Sequence, residues 1–416
     1  MEYAMQQEGS RLEGALHGLR VIEMGQLIAG PFCGQLMADF GAEVIKLEPP
    51  GKGDPMREWG HEKPQGLSLW WPVIARGKKS VEIDARQAAG QALVRDLVAT
   101  SDVLIENFRP GTMEKWGLGY DTLAAINPRL VMIRVSGYGQ TGPYAHKAGF
   151  GAIGEAMGGL RHVVGDPSTP PSRMGISIGD TLAATFACLG GMMALHARSR
   201  TGRGQMVDSA IYEAVLAVME SLVTEYAQTG YVRERTGAIL PNIAPSNVYP
   251  TQDGAYVLIA ANQDTVFRRL VAAMGRPELA EDPRYSTHDA RGERQAELDA
   301  LIADWTRMQD RVALGALLDD AGVPRGDIYR GPEMLEDAHF KARETIARVM
   351  HPTLGELRMQ NVAPRLSETP GRIRDAGPSL GQHNDEILRG LLGLDTGRLS
   401  HLQAAQVIGR VQPHAA

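Results

Sequence analysis

Cysteine is almost absent from the chain: Cys33 and Cys188 are the only two in 416 residues, far apart and without CxxC or Cys/His spacing. That excludes a disulfide framework and any zinc site legible in sequence, and it suits a reducing compartment. The N-terminus, "MEYAMQQEGSRLEGALHGLR", lacks the basic start and apolar stretch of a signal peptide. No run of about 18 apolar residues suggests a membrane span. The expectation is a cytoplasmic protein with no membrane partner. An excess of one charge is missing too, since 43 Lys and Arg face 49 Asp and Glu in interleaved order. A net charge of −6 argues against a nucleic-acid partner and leaves room only for a small polyanion held by local basic clusters.

What is present is enough apolar material for more than one core: 43% of the residues are hydrophobic, and the length allows two or three domains. Up to residue 140, short β-branched runs alternate with helical periodicity: "LRVIEM" (19–24), "AEVIKLE" (42–48), "KSVEID" (79–84), "DVLIEN" (102–107) and "LVMIRVS" (130–136). This alternation predicts a doubly wound, Rossmann-like α/β domain with a largely parallel sheet covered on both faces. "AGPFCGQLMADFG" reads as a helix between the first two strands, with Pro31 in the first turn and Gly41 past the end. A second helix fits 86–100.

Further on, "TLAATFACLGGMMALHARS" reads as a helix to about Ser199, and "IYEAVLAVMESLVTEYA" (211–227) as another. The proline-rich "GAILPNIAPSNVYPTQDG" (237–254) reads as a loop before a strand at 255–261. The boundaries that follow are a large α/β domain over 1–211, a linker helix over 212–235, a smaller α+β domain over 236–330, and a linker with a C-terminal return to the large domain over 331–416.

Within "GISIGDTLAATF" one acid, Asp180, stands among glycines and apolar residues. Its plain reading is a helix N-cap, accepting an orphan N–H of the first turn. Its sharper reading is a chemically active carboxylate, with Gly179 leaving room for a substrate. "GYGQTG" (137–142) matches GxGxxG after a strand and points to a dinucleotide, but Pro143 and the text beyond it do not open an amphipathic helix. Arg76, Lys78, Lys79, Arg86, Arg109 and Lys115 fall near predicted strand ends, where α/β folds bind ligands. Together they can hold a phosphorylated cofactor, with Asn107 and Phe108 offering an amide and an aromatic face to an adenine ring. His162 has no partner at metal or triad spacing and receives no role.

These segments add up to a resemblance. Residues 19–60, "RGKKSVEID", "DVLIENFRPGTMEKWGLGYDTLAAINPRLV", "VSGYGQTGPY" and "SRTGRGQMVDSAIYEAV" (199–215) resemble class III CoA-transferases, the family of formyl-CoA transferase and carnitine CoA-transferase. The likeness runs through nearly the whole chain and is tightest up to about residue 230.

The resemblance implies that Asp180 is a nucleophile working by ping-pong transfer through an aspartyl mixed anhydride and an aspartyl-CoA thioester. It implies CoA contacts at Leu27, Ile28, Ile83, Arg86, Asn107, Phe108 and Lys115, a CoA thioester as substrate with no tightly bound cofactor and no metal, and a homodimer of two interlocked rings. Pro49 stands where some members carry a CoA-contacting arginine. "LPNIAPSN" (240–247) replaces the glycine-rich loop of formyl-CoA transferase, which argues against formate or oxalate. Phe150 stands where acyl-CoA racemases of the same fold have a histidine, and a phenyl ring cannot move a proton. Its surroundings resemble the succinyl-CoA-dependent branch acting on small dicarboxylates. Arg161, Arg173, Arg233 and Arg235 can each grip a distal carboxylate, and the sequence does not rank them. The alternatives are a racemase of the same fold, an NAD-dependent oxidoreductase built on "GYGQTG", and a noncatalytic CoA-binding protein in which Asp180 only caps a helix.

Overall fold

The computed structural model describes residues 14–411. The chain divides into two compact units: one takes in the chain up to Leu160, Met174–Ser221 and the chain from Lys341 on, the other Arg161–Arg173 and Leu222–Phe340.

The first unit is built on six parallel strands, β1 (Arg20–Glu23), β2 (Glu43–Glu48), β3 (Lys78–Glu82), β4 (Val103–Glu106), β5 (Val131–Ser136) and β6 (Met206–Ala210), in the order β3-β2-β1-β4-β5-β6. Ile22 pairs with Ile45 on one side and Leu104 on the other. The central strands are buried at nearly every position, on both faces, and besides Val, Ile and Leu they bury charged residues such as Lys46, Glu106 and Arg134. On the faces lie α1 (Ala29–Asp39), α2 (Ala88–Ala99), α3 (Gly151–Met157), α4 (Ile178–Thr201) and α5 (Ile211–Leu216). Leu93, Val94, Leu97 and Val98 of α2 pack on Ile22, Ile45 and Leu104.

α1 leaves β1, and α4 leads into β6, so both run against the strands and start at the carboxyl edge of the sheet. They pack on each other. By length and composition α4 is apolar enough to cross a membrane, a feature the sequence reading missed; here it lies against α1, β5, β6, α3 and α5. The C-terminal stretch returns to this unit and covers its outer strand: Asn384 accepts from Glu82 N, and Ile408 bridges Ile83.

The expected single helix over 211–227 is broken. α5 ends at Leu216, Glu220 takes φ 52°, and α6 runs from Leu222 to Thr229 in the second unit. That unit carries the antiparallel sheet β7 (Ser246–Pro250), β8 (Tyr256–Ala260) and β9 (Arg325–Asp327), whose apolar face meets helices over a core of Phe267, Leu270, Leu298, Ile302 and Leu314.

Candidate functional site

The strand order reverses between β1 and β4, and their carboxyl-end loops meet there, the place where open α/β sheets bind ligands. Asn107, just past β4, accepts from Gln26 N at 2.8 Å and donates to Gln26 O at 2.8 Å. Its amide therefore holds the β1 loop in place, where the sequence reading gave it to an adenine ring. Leu27 follows with φ 64°, its N–H donating to Asp54 Oδ1 at 3.1 Å. The side chains of Leu27 and Ile28 pack on Met56, Trp71 and Ile74.

Beside this loop is a 220 Å³ cavity lined by Met24, Leu47, Ile83, Arg86, Phe108 and Trp116, among others. Three residues singled out in the sequence, Ile83, Arg86 and Phe108, thus come together. Trp116 was missed; its ring meets Phe108 edge-on at 5.1 Å, and "KWG" carries no signal that would have separated it from an ordinary core tryptophan. Lys115, exposed, does not line the cavity. The Arg86 guanidinium is paired with Asp84 at 2.7 and 2.9 Å, and these bonds hold the Asp84 carboxyl below its usual range. Pro49 lines both this cavity and the adjoining 2110 Å³ groove, which also takes in Lys52, Glu82 and Arg410.

Asp180 is not the N-cap. α4 begins at Ile178 after Ser177, so Asp180 is the third helical residue, where the helix dipole favours its charge. The helix can start early because the orphan N–H of Gly179 has an acceptor from elsewhere: Glu155 Oε1, buried on α3, at 3.3 Å. The half-buried Asp180 carboxylate rests on the backbone of Gly151, the first residue of α3.

The glycine-rich "GYGQTG" loop is tied to the sheet edge instead of opening a helix. Gly139 N donates to Ser136 Oγ at 3.0 Å and Gln140 N to Asp208 Oδ2 at 2.8 Å; the next helix starts only at Gly151. Burial raises the Asp208 carboxyl above its ordinary value. The nucleotide reading loses its structural context. Phe150, 67% exposed, precedes α3 and brings no proton carrier to Asp180. In the other unit, His162 faces Glu234 at 3.2 Å, Arg233 is paired with Glu225, and Arg235 donates to His162 O at 3.1 Å. Lys78 and Lys79, read as candidate phosphate holders, are ion-paired with Glu23 and with Glu43 and Glu386; Arg76 is buried against Asp39.

The description of CoA-transferase family III matches residues 16–384. The chain belongs to CoA-transferase family III. This transferase is 62% identical over 393 residues to a succinyl-CoA–D-citramalate CoA-transferase of Chloroflexus aurantiacus, covering 94% of the chain and 98% of that protein. It is 39% identical over 404 residues to the beta subunit of a succinyl-CoA–L-malate CoA-transferase of the same organism, covering 96% and 100%. A succinate–glutarate CoA-transferase of Agrobacterium fabrum is 35% identical over 385 residues, covering 90% and 94%. Among solved structures, a CAIB/BAIF family protein from Brucella suis superposes with a TM-score of 0.81 at 35% identity, covering 91% of the transferase and 100% of that chain.

Proposed function

We propose that the transferase moves CoA from succinyl-CoA to a small dicarboxylic acid, with Asp180 as the covalent carrier. The observation that carries the donor and acceptor is the 62% identity, over nearly both full lengths, to a protein named for succinyl-CoA and D-citramalate. Support for the carrier comes from one carboxylate at the carboxyl edge of the sheet, seated on bare backbone with its helix turn anchored by Glu155.

In this reading the Asp180 carboxylate attacks the succinyl-CoA thioester carbonyl, and the C–S bond breaks to give a mixed anhydride and CoA thiolate. The thiolate attacks the aspartyl carbonyl, expels succinate and leaves an aspartyl-CoA thioester. The acceptor carboxylate then attacks that thioester, thiolate leaves again, and its return to the acceptor carbonyl frees Asp180. Every attacking species is already anionic, so no general base is needed; water has to be kept out of the site, since the anhydride and thioester both hydrolyse. Leu27 and Ile28 backbone, Ile83, Phe108 and Trp116 hold the CoA nucleotide, and Arg86 and Lys115 face its phosphates.

The working unit in this reading is a cytoplasmic homodimer. Phe150, Ile153 and Met157 of the α3 region and Phe186, Leu189 and Met193 of α4 are apolar and exposed, Met193 by 61%, on helices that pack together. A patch of this kind marks a protein contact.

The test incubates the enzyme with succinyl-CoA alone and maps the adduct by mass. The expected result is a hydroxylamine-sensitive adduct on the peptide holding Asp180, absent from Asp180→Asn, and succinyl-CoA outperforming butyryl-CoA as donor. Undiminished transfer by Asp180→Asn, with deamidation excluded by mass, sinks the mechanism; equal kcat/KM for the two donors sinks the dicarboxylate reading.

A further inference from the structure

Beneath the β1 loop lie four fully buried charges: Glu23 at the end of β1, Lys46 on β2, Lys78 on β3 and Asp54 in the segment after β2. Lys46 Nζ lies 3.0 Å from Glu23 Oε1 and 2.8 Å from Asp54 Oδ2, and Lys78 Nζ lies 2.7 Å from Glu23 Oε2. The group is neutral overall, two cations against two anions. An ionic cluster so buried adds little net stability over well-packed apolar side chains, so its hydrogen bonds are the more informative feature.

Those bonds converge on one segment. Lys46 Nζ donates to Gly25 O at 2.8 Å, Lys78 Nζ to Pro31 O at 2.6 Å, and Asp54 Oδ1 accepts from Leu27 N at 3.1 Å. With Asn107 holding both polar groups of Gln26, the loop is tied from Gly25 to Pro31. The loop needs holding, because Leu27 sits in the left-handed region, which a branched side chain disfavours. Gly34 of α1 lies so close to Glu23 that an added methyl would be 1.8 Å from Oε2, so the helix that follows the loop is also seated on the cluster.

We propose that the Glu23–Lys46–Lys78–Asp54 quartet is a positioning device that holds residues 25–31 in the conformation that binds the CoA thioester, taking no part in acyl transfer. The proposal rests on the reading above, that the Leu27–Ile28 backbone meets CoA. Its physical content is preorganisation: a loop already in its bound shape does not lose conformational freedom on binding. Disturbing the quartet therefore weakens CoA and leaves the chemical step alone.

The experiment compares the full-length enzyme with Glu23→Gln/Lys78→Met, which removes one cation and one anion and the bond to Pro31 O while leaving the charge balanced. The control is Asp39→Asn/Arg76→Met, which removes an equally buried ion pair that does not touch the loop. Hydrogen exchange of residues 26–32 without ligand reads the clamp; calorimetric titration with CoA and succinyl-CoA kinetics read its consequence. Expected for the first variant are faster exchange in 26–32, CoA binding weaker by about tenfold, and a raised KM for succinyl-CoA with kcat within about threefold of wild type. The control keeps wild-type CoA binding.

Unchanged exchange overturns the clamp. Faster exchange with unchanged CoA affinity, an equal loss in the control, or a fall in kcat alone overturns the positioning role. Wild-type enzyme that does not bind CoA overturns the functional reading instead, and the exchange arm tells the two failures apart because it involves no ligand. Should the double variant not fold, Asp54→Asn, isosteric and neutral at one corner, is read by the same measurements, and unchanged CoA affinity in it overturns the proposal.

Discussion

The carboxylate of Asp180 and the α-carbon of Gly151 share one packing site: a methyl on Gly151 would stand 2.2 Å from Asp180 Oδ2 and 2.7 Å from its Cγ. No side chain but hydrogen leaves the carboxylate where it is. Gly151→Ala is therefore expected to push the carboxylate aside. A displacement of that size costs about a hundredfold in rate when the displaced group is the nucleophile. Stopped-flow release of CoA from succinyl-CoA measures it, with CoA affinity as the control; wild-type release by a folded Gly151→Ala would remove Asp180 from the chemistry as effectively as an active Asp180→Asn.

Glu155 acts through Gly179. Its Oε1 accepts the Gly179 N–H in the first turn of α4, one residue before Asp180. Glutamine retains an acceptor there and leucine does not, so Glu155→Gln should keep kcat within about threefold, while Glu155→Leu leaves a buried donor unpaired at a cost of about 1–3 kcal/mol. The expected signature is a drop in kcat for the leucine variant with KM for the acyl-CoA unchanged. Equal loss in both variants would show that the charge, not the hydrogen bond, matters.

Burial works against the Asp54 carboxylate, but the charge of Lys46 and the N–H groups of Met56 and Leu27 outweigh it and hold its pKa below the ordinary value. A carboxyl depressed in the folded state contributes stability above its unfolded pKa of about 4, and loses it as pH falls through the lower folded pKa. Wild type should therefore exceed Asp54→Asn in Tm at pH 7 and pH 5 by a similar margin. Below about pH 4 the margin should shrink. Calorimetric scans at these pH values check the sign; a margin that widens on acidification contradicts it.

Replacing Leu189 or Met193 by Glu places a charge in the exposed apolar stripe of α4. If this face is the homodimer contact, each variant should sediment as a monomer or precipitate, while wild type sediments as a dimer. Interlocked rings add a kinetic expectation: two differently tagged, separately folded pools should not exchange subunits under native conditions. Rapid hybrid formation rules out interlocking and leaves an ordinary dimer.

Phe108 and Trp116 meet edge-on over the small cavity. Removal of either ring by alanine is expected to raise KM for succinyl-CoA by up to about tenfold, the scale of one aromatic contact, with little change in kcat. KM for the dicarboxylate acceptor should not move.

Much of this was legible without coordinates. The strands around Ile22, Ile45, Val81, Leu104 and Ile133 announced themselves as short β-branched runs between helical segments, although the same strands also bury charges such as Glu23, Lys46 and Lys78. The breadth of the family likeness followed from long local stretches, and local text is what a sequence displays. Asp180 stood out because an acid among glycines and apolar residues is uncommon.

Its actual position was not legible. The helix start moved from Asp180 to Ile178 because an acceptor 24 residues earlier in the chain, Glu155, satisfies Gly179, and no local rule counts a partner so far away. Lys78 and Lys79 read as phosphate holders for the same reason: a lysine's charge is visible in sequence, its counter-ion is not, and here the order β3-β2-β1 places Lys46 opposite Glu23 on the next strand, while Lys78 reaches the other oxygen of the same carboxylate from two strands away. That the Asn107 amide holds the β1 loop was not legible either, because only the switch point of the sheet brings Gln26 onto it. The sequence by itself determined the five strands up to Ser136, the helices Ala29–Asp39 and Ala88–Ala99 and the family they spell, since those follow from local pattern; the strand Met206–Ala210 and the break within 211–227 did not show in it. Tertiary structure alone decided which charges are neutralised inside and which groups are left facing the site, because burial and pairing are properties of residues that only folding makes neighbours.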